Sequence, residues 1–241
     1  MSARAILLVL FSAALLATPA DAAESPFGMP EGSSEFAVGA ALGYGEENVG
    51  SARRSAFVQP YFEARWSNGV FIEGLWLGRQ LSNTPHLRYG PLLTLGRERT
   101  PRPGKDTRLM PVAGAFLSYQ LLHNLTLAAH GHHMAGSRGG SLLDVRLASH
   151  NSVAPHHSIG VAAGLRAADR RYLETRFGAA PGASAGVRDA YLAGRWYWEL
   201  NPKYTAIARL EYRRLHGSAA AAPQVARRSS LANSLMLIYR Y

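Results

Sequence analysis

The chain ends with the stretch that decides its fold, Leu231-Ala-Asn-Ser-Leu-Met-Leu-Ile-Tyr-Arg-Tyr241. Side chains along a β-strand point alternately to opposite faces, so the odd-numbered residues share one face. That face is mostly apolar and ends in Tyr239 and Tyr241, whereas the other face is mixed and ends in Arg240. A strand that is apolar on one side and aromatic at its tip is typical of a transmembrane β-barrel facing lipid.

The same alternation recurs through most of the chain. It is clearest at 190–200 and 204–213, and further strands are expected at 35–44, 55–66, 70–78, 86–97, 108–121, 124–133, 141–149, 157–167 and 170–177. Helical periodicity is almost absent, and no linker divides the chain. Because both termini of such barrels lie in the periplasm, the strand number is expected to be even. We predict an all-β, antiparallel up-and-down transmembrane barrel of about 12 strands over residues 35–241, with 10 as the alternative.

A soluble β-sandwich is the alternative fold. Its strands would also alternate, with the polar face outward and the apolar face inward, and alternation alone does not distinguish inside from outside. The number of strands, the terminal aromatic residue and the many charges on otherwise regular strands favour the membrane barrel.

The other end of the chain predicts export. Residues 1–22 form a signal peptide, in which Arg4 precedes the apolar run Ala5–Leu16 and Ala20-Asp21-Ala22 fits a small-x-small cleavage site. The apolar run is too short for a spanning helix, which takes about 20 residues. Residues 23–34 are expected to be a flexible segment before the barrel. The predicted location is therefore the outer membrane of a Gram-negative cell.

The amino-acid composition limits the kinds of chemistry and of binding partner that we expect. The 241 residues include no cysteine, which excludes a disulfide scaffold and thiol catalysis. Apolar residues make up 47%, charged residues only 17%, and the net charge is +10. In an exported barrel, a basic balance favours attraction to lipopolysaccharide phosphates and other outer-membrane lipid. The basic residues are scattered, with no aromatic stacking platform, so nucleic acid is not an expected partner.

Charges of both signs recur on the faces that we expect to point inward. They are Glu63, Arg65, Glu73, Asp144, Arg146, Arg166, Glu174, Arg176, Arg195, Glu199, Arg209, Glu211 and Arg213. In a barrel of this size, such side chains would cross-link neighbouring strands and largely fill the lumen, which is a structural role. The functional alternative is a selective pore lined by basic residues.

No catalytic, cofactor-binding or metal-binding residue is assigned. His130 and His132 share a strand face and could hold a metal, but a third ligand such as His123 or His150 is not placed by the sequence. The segment Gly182–Gly186 spells G-x-S-x-G, yet it lies in an Ala/Gly/Pro loop without the helix that a nucleophile elbow requires. We therefore expect a protein that is not an enzyme, with a lipid-modifying enzyme as an alternative.

The chain contains several short motifs whose order along the sequence is informative. They are Gly43-Tyr44, Gly50-Ser51, Pro60–Trp66, Gly131-His132, Gly139-Gly140, Tyr172, Phe177-Gly178, and Arg214-Leu215 leading through Pro223 to Tyr239–Tyr241. Together they resemble the MipA/OmpV family of Gram-negative outer-membrane proteins over nearly the whole mature chain. The segment Gly217–Pro223 departs from the family, because it lacks the carboxylates of the family's acidic loop, and the terminal residue is Tyr241 where the family has Phe.

The resemblance implies a scaffold, because the family's named member looks like one that connects a murein hydrolase with a peptidoglycan synthase. On that hypothesis partners would bind short periplasmic turns such as Ser67–Gly69 and Asn201–Lys203. A small-solute porin-like channel is the alternative function. The aromatic-x-aromatic ending Tyr239-Arg240-Tyr241 also resembles the signal that the barrel-assembly machinery reads during insertion.

Overall fold

The computed structural model describes residues 27–97, 109–136 and 139–241. In this part of the chain twelve antiparallel strands form a closed barrel, in which each strand pairs with the next and β12 pairs with β1. The strands are β1 (Ser34–Glu46), β2 (Arg54–Trp66), β3 (Val70–Glu73), β4 (Trp76–Arg79), β5 (Leu87–Arg97), β6 (Leu109–Leu122), β7 (Leu125–Met134), β8 (Gly140–Ala154), β9 (His157–Ala168), β10 (Gly186–Glu199), β11 (Tyr204–Leu215) and β12 (Ser229–Arg240).

The predicted fold class is confirmed. The predicted signal peptide at 1–22, and the first part of the segment predicted to be flexible, lie outside the described residues. No helix in the described part of the chain is long and apolar enough to cross a bilayer. We call the end of the barrel where β1 begins and β12 ends the termini end, and the opposite end the loop end.

The strand predicted at 70–78 is wrong, because this segment forms two short strands, β3 and β4. Gly74 has φ 61 and is the first of the two residues that connect them. A positive φ at this position is what a type II′ hairpin turn requires, and glycine adopts it without steric cost. The resulting hairpin is much shorter than its neighbours, since β3 and β4 have four residues each and β2 has 13.

The strand predicted at 170–177 is also wrong, because these residues form helix α1 (Arg170–Phe177). The Asp169 side chain accepts a hydrogen bond from the Tyr172 N–H at 2.7 Å, and Gly178 ends the helix in the left-handed conformation. Leu173 and Phe177, one helical turn apart, are both buried. The two errors cancel, so the count of twelve strands is right although two of its members were misplaced.

Outward faces carry the apolar side chains. Large exposed ones include Leu42, Leu192, Leu210 and Leu235, each on the face opposite the buried residues of its strand. Aromatic rings gather near the termini end, where the Tyr239 ring contacts those of Tyr204 and Tyr241, with ring centroids 5.0 Å apart in both pairs. An apolar band edged by aromatic rings is the surface expected of a membrane barrel.

On the inner face, aromatic rings lie across glycines of the neighbouring strand. A Cβ atom at any of these glycines would meet the ring of its direct cross-strand partner. The pairs are Gly43 with Phe57, Gly78 with Phe71, Gly90 with Phe116, and Gly164 with Tyr191. The glycines therefore provide the room that these rings occupy inside a narrow barrel.

Gly164→Ala is expected to destabilise the barrel by roughly 1–3 kcal/mol, because the added methyl group overlaps the Tyr191 ring and forces it to move. Equilibrium urea unfolding in lipid vesicles measures the effect. Gly194→Ala is the matched control, since Gly194 lies on β10 with no neighbouring atom in the way. Equal stability of the two variants would contradict the prediction.

The loop end carries a packed cap. Helix α1 and the short helix α2 (Gly217–Ala220) lie in the connections between β9 and β10 and between β11 and β12. Their apolar side chains pack together with the upper ends of β8, β9 and β11. The buried cluster comprises Leu142, Ala168, Leu173, Phe177, Ala179, Leu215, Ala219 and Ala222. The cap therefore covers the lumen beside β8–β11 and fixes two of the longest connections in the described chain.

Candidate functional site: the inner face of the barrel

An ion network joins the inner faces of β8 to β11. At its centre, Arg166 donates to Asp144 at 2.8 Å and to Asp189 at 3.1 Å, and it lies 3.6 Å from a Glu211 oxygen. The Tyr191 hydroxyl donates to the other Asp144 oxygen at 3.0 Å, and the Arg166 guanidinium stacks over the Tyr191 ring. One arginine therefore connects carboxylates from three strands, which is the fork geometry that guanidinium groups favour.

Further arginines surround the same carboxylates. Arg213 donates to Glu211 at 2.7 Å, and Arg209 donates to the second Glu211 oxygen. Arg188 donates to Asp189 and also to the Tyr172 hydroxyl of helix α1 at 2.9 Å. Asp189 is fully buried, and Glu211 and Arg188 are nearly so. The network thus fills this part of the lumen and is tied to the cap above it.

A second group of charges lies towards the termini end on β2 and β5. Glu63 accepts a hydrogen bond from the Tyr61 hydroxyl at 2.6 Å and forms an ion pair with Arg65, also at 2.6 Å. Arg88 donates to the Gln80 side chain at 2.8 Å. The guanidinium groups of Arg65 and Arg88 both lie 5.9 Å from the centre of the Phe27 ring. The segment before β1 therefore enters this side of the lumen through Phe27.

Besides Arg88, three inward arginines have no carboxylate partner in the described part of the chain. Arg195 approaches the Tyr197 hydroxyl at 3.5 Å, Arg240 approaches the Thr205 hydroxyl at 3.5 Å, and Arg146 has neither kind of partner. Arg195 also lies directly opposite Arg209 in the β10–β11 register. Like charges placed opposite each other repel, and both arginines add positive charge to this part of the lumen.

The inner wall formed by β3 to β7 carries a cluster of aromatic rings. Phe71 on β3 contacts Phe116 on β6 with ring centroids 5.6 Å apart, and Phe27 contacts Phe71 at 6.2 Å. Trp76 on β4 contacts His132 on β7 at 5.7 Å, although two strands separate them in the sheet. This contact places both rings in the lumen. The interior is therefore divided into an aromatic wall on β3–β7, which also carries Glu73 and Arg88, and a charged wall on β8–β11.

A family model described as "MltA-interacting protein MipA" matches residues 38–241, which is nearly the whole barrel. The chain belongs to the MipA family. The resemblance predicted from the short motifs is therefore confirmed. No curated protein matches the sequence of this MipA-family chain.

Solved structures that share the fold of this MipA-family member are outer-membrane barrels. One is the NanC porin, with 10% sequence identity, a TM-score of 0.55, and coverage of 84% of this chain and 98% of that chain. Another is the COG4313 outer membrane channel from Pseudomonas putida F1, with 13% identity, a TM-score of 0.43, and coverage of 93% and 100% respectively. The MipA-family chain is thus an outer-membrane barrel in family and fold.

The structure brings some of the predicted charges in this MipA-family barrel together and leaves others apart. Asp144, Arg166, Arg209, Glu211 and Arg213 meet in one network, and Glu63 pairs with Arg65. The remaining predicted charges on strands lie outside the network. Arg146 and Arg195 have no carboxylate partner, Glu73 lies opposite Glu63 across the strands, and Glu199 lies 4.0 Å from His156 at the termini end. Glu174 and Arg176 belong to helix α1, so their predicted place on a strand is wrong.

Sequence reasoning missed Arg188 and Asp189, the most deeply buried pair of the network. The β9–β10 register shifts between Val187 and Asp189, and this bulge buries both residues although they are adjacent. A bulge interrupts the period of two on which the prediction rests. The available signal was the pair of opposite charges directly before the regular strand at 190–199.

The candidate histidines and the candidate nucleophile Ser184 do not form a metal site or a catalytic site in the described chain. His130 and His132 lie on the inner face, in contact with aromatic rings, while His133 lies on the other face. No group of three or more His, Asp or Glu in the described ranges is placed to hold a metal ion. Ser184 lies between a helix and a strand, the reverse of the order in a nucleophile elbow, and its hydroxyl contacts that of Ser218 at 3.4 Å.

Proposed function

We propose that this protein is a non-enzymatic structural component of the outer membrane that binds a periplasmic partner at its termini end, in support of peptidoglycan assembly. The observation that carries the proposal is the buried ion network beneath the packed cap. A lumen filled on one side and covered at the loop end favours a role at the rims over bulk transport. The family's description as an MltA-interacting protein supports a partner of the murein hydrolase or synthase class.

The termini end offers short, well-defined connections to such a partner. In the turn between β10 and β11, the Asn201 side chain accepts the N–H groups of Lys203 and Tyr204, both at 2.9 Å. The longest termini-end connection is 80–86, where residues 83–86 are exposed. Rigid turns beside one accessible loop form a surface that a folded periplasmic protein can contact with little loss of conformational freedom.

Insertion of a short polar epitope between Asn83 and Thr84 is expected to abolish recovery of murein enzymes from crosslinked envelopes. The matched control carries the same epitope between Pro181 and Gly182, two exposed residues in the cap connection at the loop end, and should retain the partner. Heat-modifiable mobility in gels confirms that both variants form barrels. The proposal fails if the unmodified protein recovers no murein enzyme, or if both insertions behave alike.

The unpaired arginines favour a second function, conduction of small anions. Arg146, Arg195 and Arg240 would attract anions into the accessible part of the lumen. Planar-bilayer recordings in a salt gradient test this, and the Arg146→Gln, Arg195→Gln double variant should lose anion preference while keeping its ion network. A purified barrel that stays silent would eliminate the channel function and leave the structural role standing.

A further inference from the structure

The part of the barrel wall that the structure describes is incomplete above the short β3–β4 hairpin. β2 pairs with β3 only from Glu63 to Arg65, and β5 pairs with β4 only at Leu92 and Leu93. The hairpin ends at its turn, where the Gly74 N–H donates to the Phe62 carbonyl at 2.7 Å. In the described residues, β2 has no strand partner on this side between Arg54 and Tyr61. β2 and β5 are three strand spacings apart, or about 14 Å.

A proline, Pro60, stands on the edge of β2 that faces this opening. Because the Phe62 carbonyl points towards the hairpin, the residue two positions earlier, Pro60, points the same way. On β5 the Tyr89 carbonyl accepts the Leu81 N–H, so Pro91 also faces β4, but it lies level with Arg79, below the opening. Proline has no N–H to donate to a sheet, and it is confined to strand edges for that reason. The sequence therefore opposes extension of the sheet across the opening.

The opening lies in the loop-end half of the wall, which faces the outer leaflet when the termini are periplasmic. Apolar side chains surround it. Leu75 at the hairpin tip is 80% exposed and Val58 on β2 is 72% exposed, which are among the highest values for large apolar residues in the described chain. Lipid acyl chains are the medium that favours such exposure in a membrane protein.

The opening leads to the aromatic side of the lumen. The strands that flank or end below it supply Phe71, Trp76 and Leu92, with the Glu73 carboxylate beside Trp76, and the Phe71 ring contacts that of Phe116. The charged wall on β8–β11 lies across the interior. A molecule that enters here would place its apolar chain against these rings. The charged wall would then face it from the other side of the lumen.

We propose that this opening is a lateral entry through which an acyl chain of an outer-leaflet lipid reaches the aromatic wall of the lumen. The entering chain exchanges lipid contacts for contacts with Phe71, Trp76 and Phe116, so entry exposes no apolar surface to water. This site is separate from the termini end, and its test is independent of any periplasmic partner.

Tryptophan quenching by brominated phospholipids tests the entry directly. The four tryptophans are Trp66, Trp76, Trp196 and Trp198, and only Trp76 contacts another ring inside the lumen. A variant that keeps Trp76 alone, with phenylalanine at the other three positions, is expected to lose most of its emission in vesicles of brominated phosphatidylcholine. Contact with bromine is required for quenching, so the loss reports an acyl chain beside Trp76.

Two controls complete the experiment. A variant that keeps only the outward Trp198 should be quenched, which shows that the brominated chains reach the protein. Met236→Trp in a tryptophan-free background places the reporter on the inner face of β12, behind a wall that is paired on both sides, and it should keep its emission. The proposal is overturned if Trp76 stays bright while Trp198 is quenched, or if the reporter at 236 is quenched as strongly as Trp76.

Discussion

Asp189→Ala is expected to lower the free energy of unfolding by about 3–5 kcal/mol, the usual cost of removing one partner from a buried ion cluster. Asp189 is fully buried and accepts hydrogen bonds from Arg166 and Arg188. Arg213 lies 3.9 Å from the same carboxylate. Removal of the Asp189 carboxylate leaves the guanidinium groups of Arg166, Arg188 and Arg213 close together in a narrow lumen with one carboxylate fewer. The loss therefore combines unpaired buried charge with repulsion between the arginines.

Urea unfolding in vesicles, followed by tryptophan emission, measures this loss. Glu174→Ala is the matched control, since it also removes a carboxylate that pairs with an arginine, at 2.9 Å from Arg170, but on the surface of helix α1. The hydrogen bond from Arg170 lowers the pKa of Glu174, yet water replaces that partner readily. We expect no measurable change in the control. An Asp189→Ala barrel as stable as the control would show that the network contributes little.

Deletion of Tyr241 is expected to reduce the amount of barrel inserted in the outer membrane several-fold. The Tyr241 side chain is 76% exposed, and its ring contacts only Tyr239 in the described chain. Its backbone N–H donates to the Phe36 carbonyl at 3.0 Å, next to the point where β12 closes on β1. An exposed terminal ring adds little to the stability of the finished barrel, so its expected role is recognition during assembly.

Fractionation of the envelope, with heat-modifiable mobility as the readout, measures insertion. Tyr241→Phe keeps an aromatic terminus and should insert normally. Urea unfolding of the deletion variant refolded in detergent separates assembly from stability, because the refolded barrel is expected to match the parent. Normal insertion of the deletion variant would remove the proposed signal, as would an equal loss of stability after refolding.

The faces of the regular strands could be predicted from sequence because the period of two has few exceptions there. In β11, for example, Tyr204 and Tyr212 point outward while Arg209, Glu211 and Arg213 point inward, as the alternation requires. The alternation could not show which charges meet, since this depends on the register between strands. Register places Arg166 beside Asp189 and leaves Arg195 opposite Arg209.

The mispredicted elements have local causes that a period of two conceals. In α1 the alternating charges of Glu174 and Arg176 imitate a strand, but Leu173 and Phe177 with the flanking Asp169 and Gly178 are the pattern of a short capped helix. In the β3–β4 segment one glycine in an apolar run marks the turn. Both local signals are present in the sequence, but the regular alternation of the surrounding segments favoured strands in the prediction.

The pairing of glycines with rings on the inner face has a consequence for how the barrel is built. The smallest slip that keeps the correct side chains inside moves a strand by two residues, or about 7 Å. At Gly43–Phe57 and Gly164–Tyr191 such a slip would take each ring away from the glycine that accommodates it. Each pair thus accepts one alignment of its two strands, and the spacing of glycines along the sequence helps to specify the register of the wall.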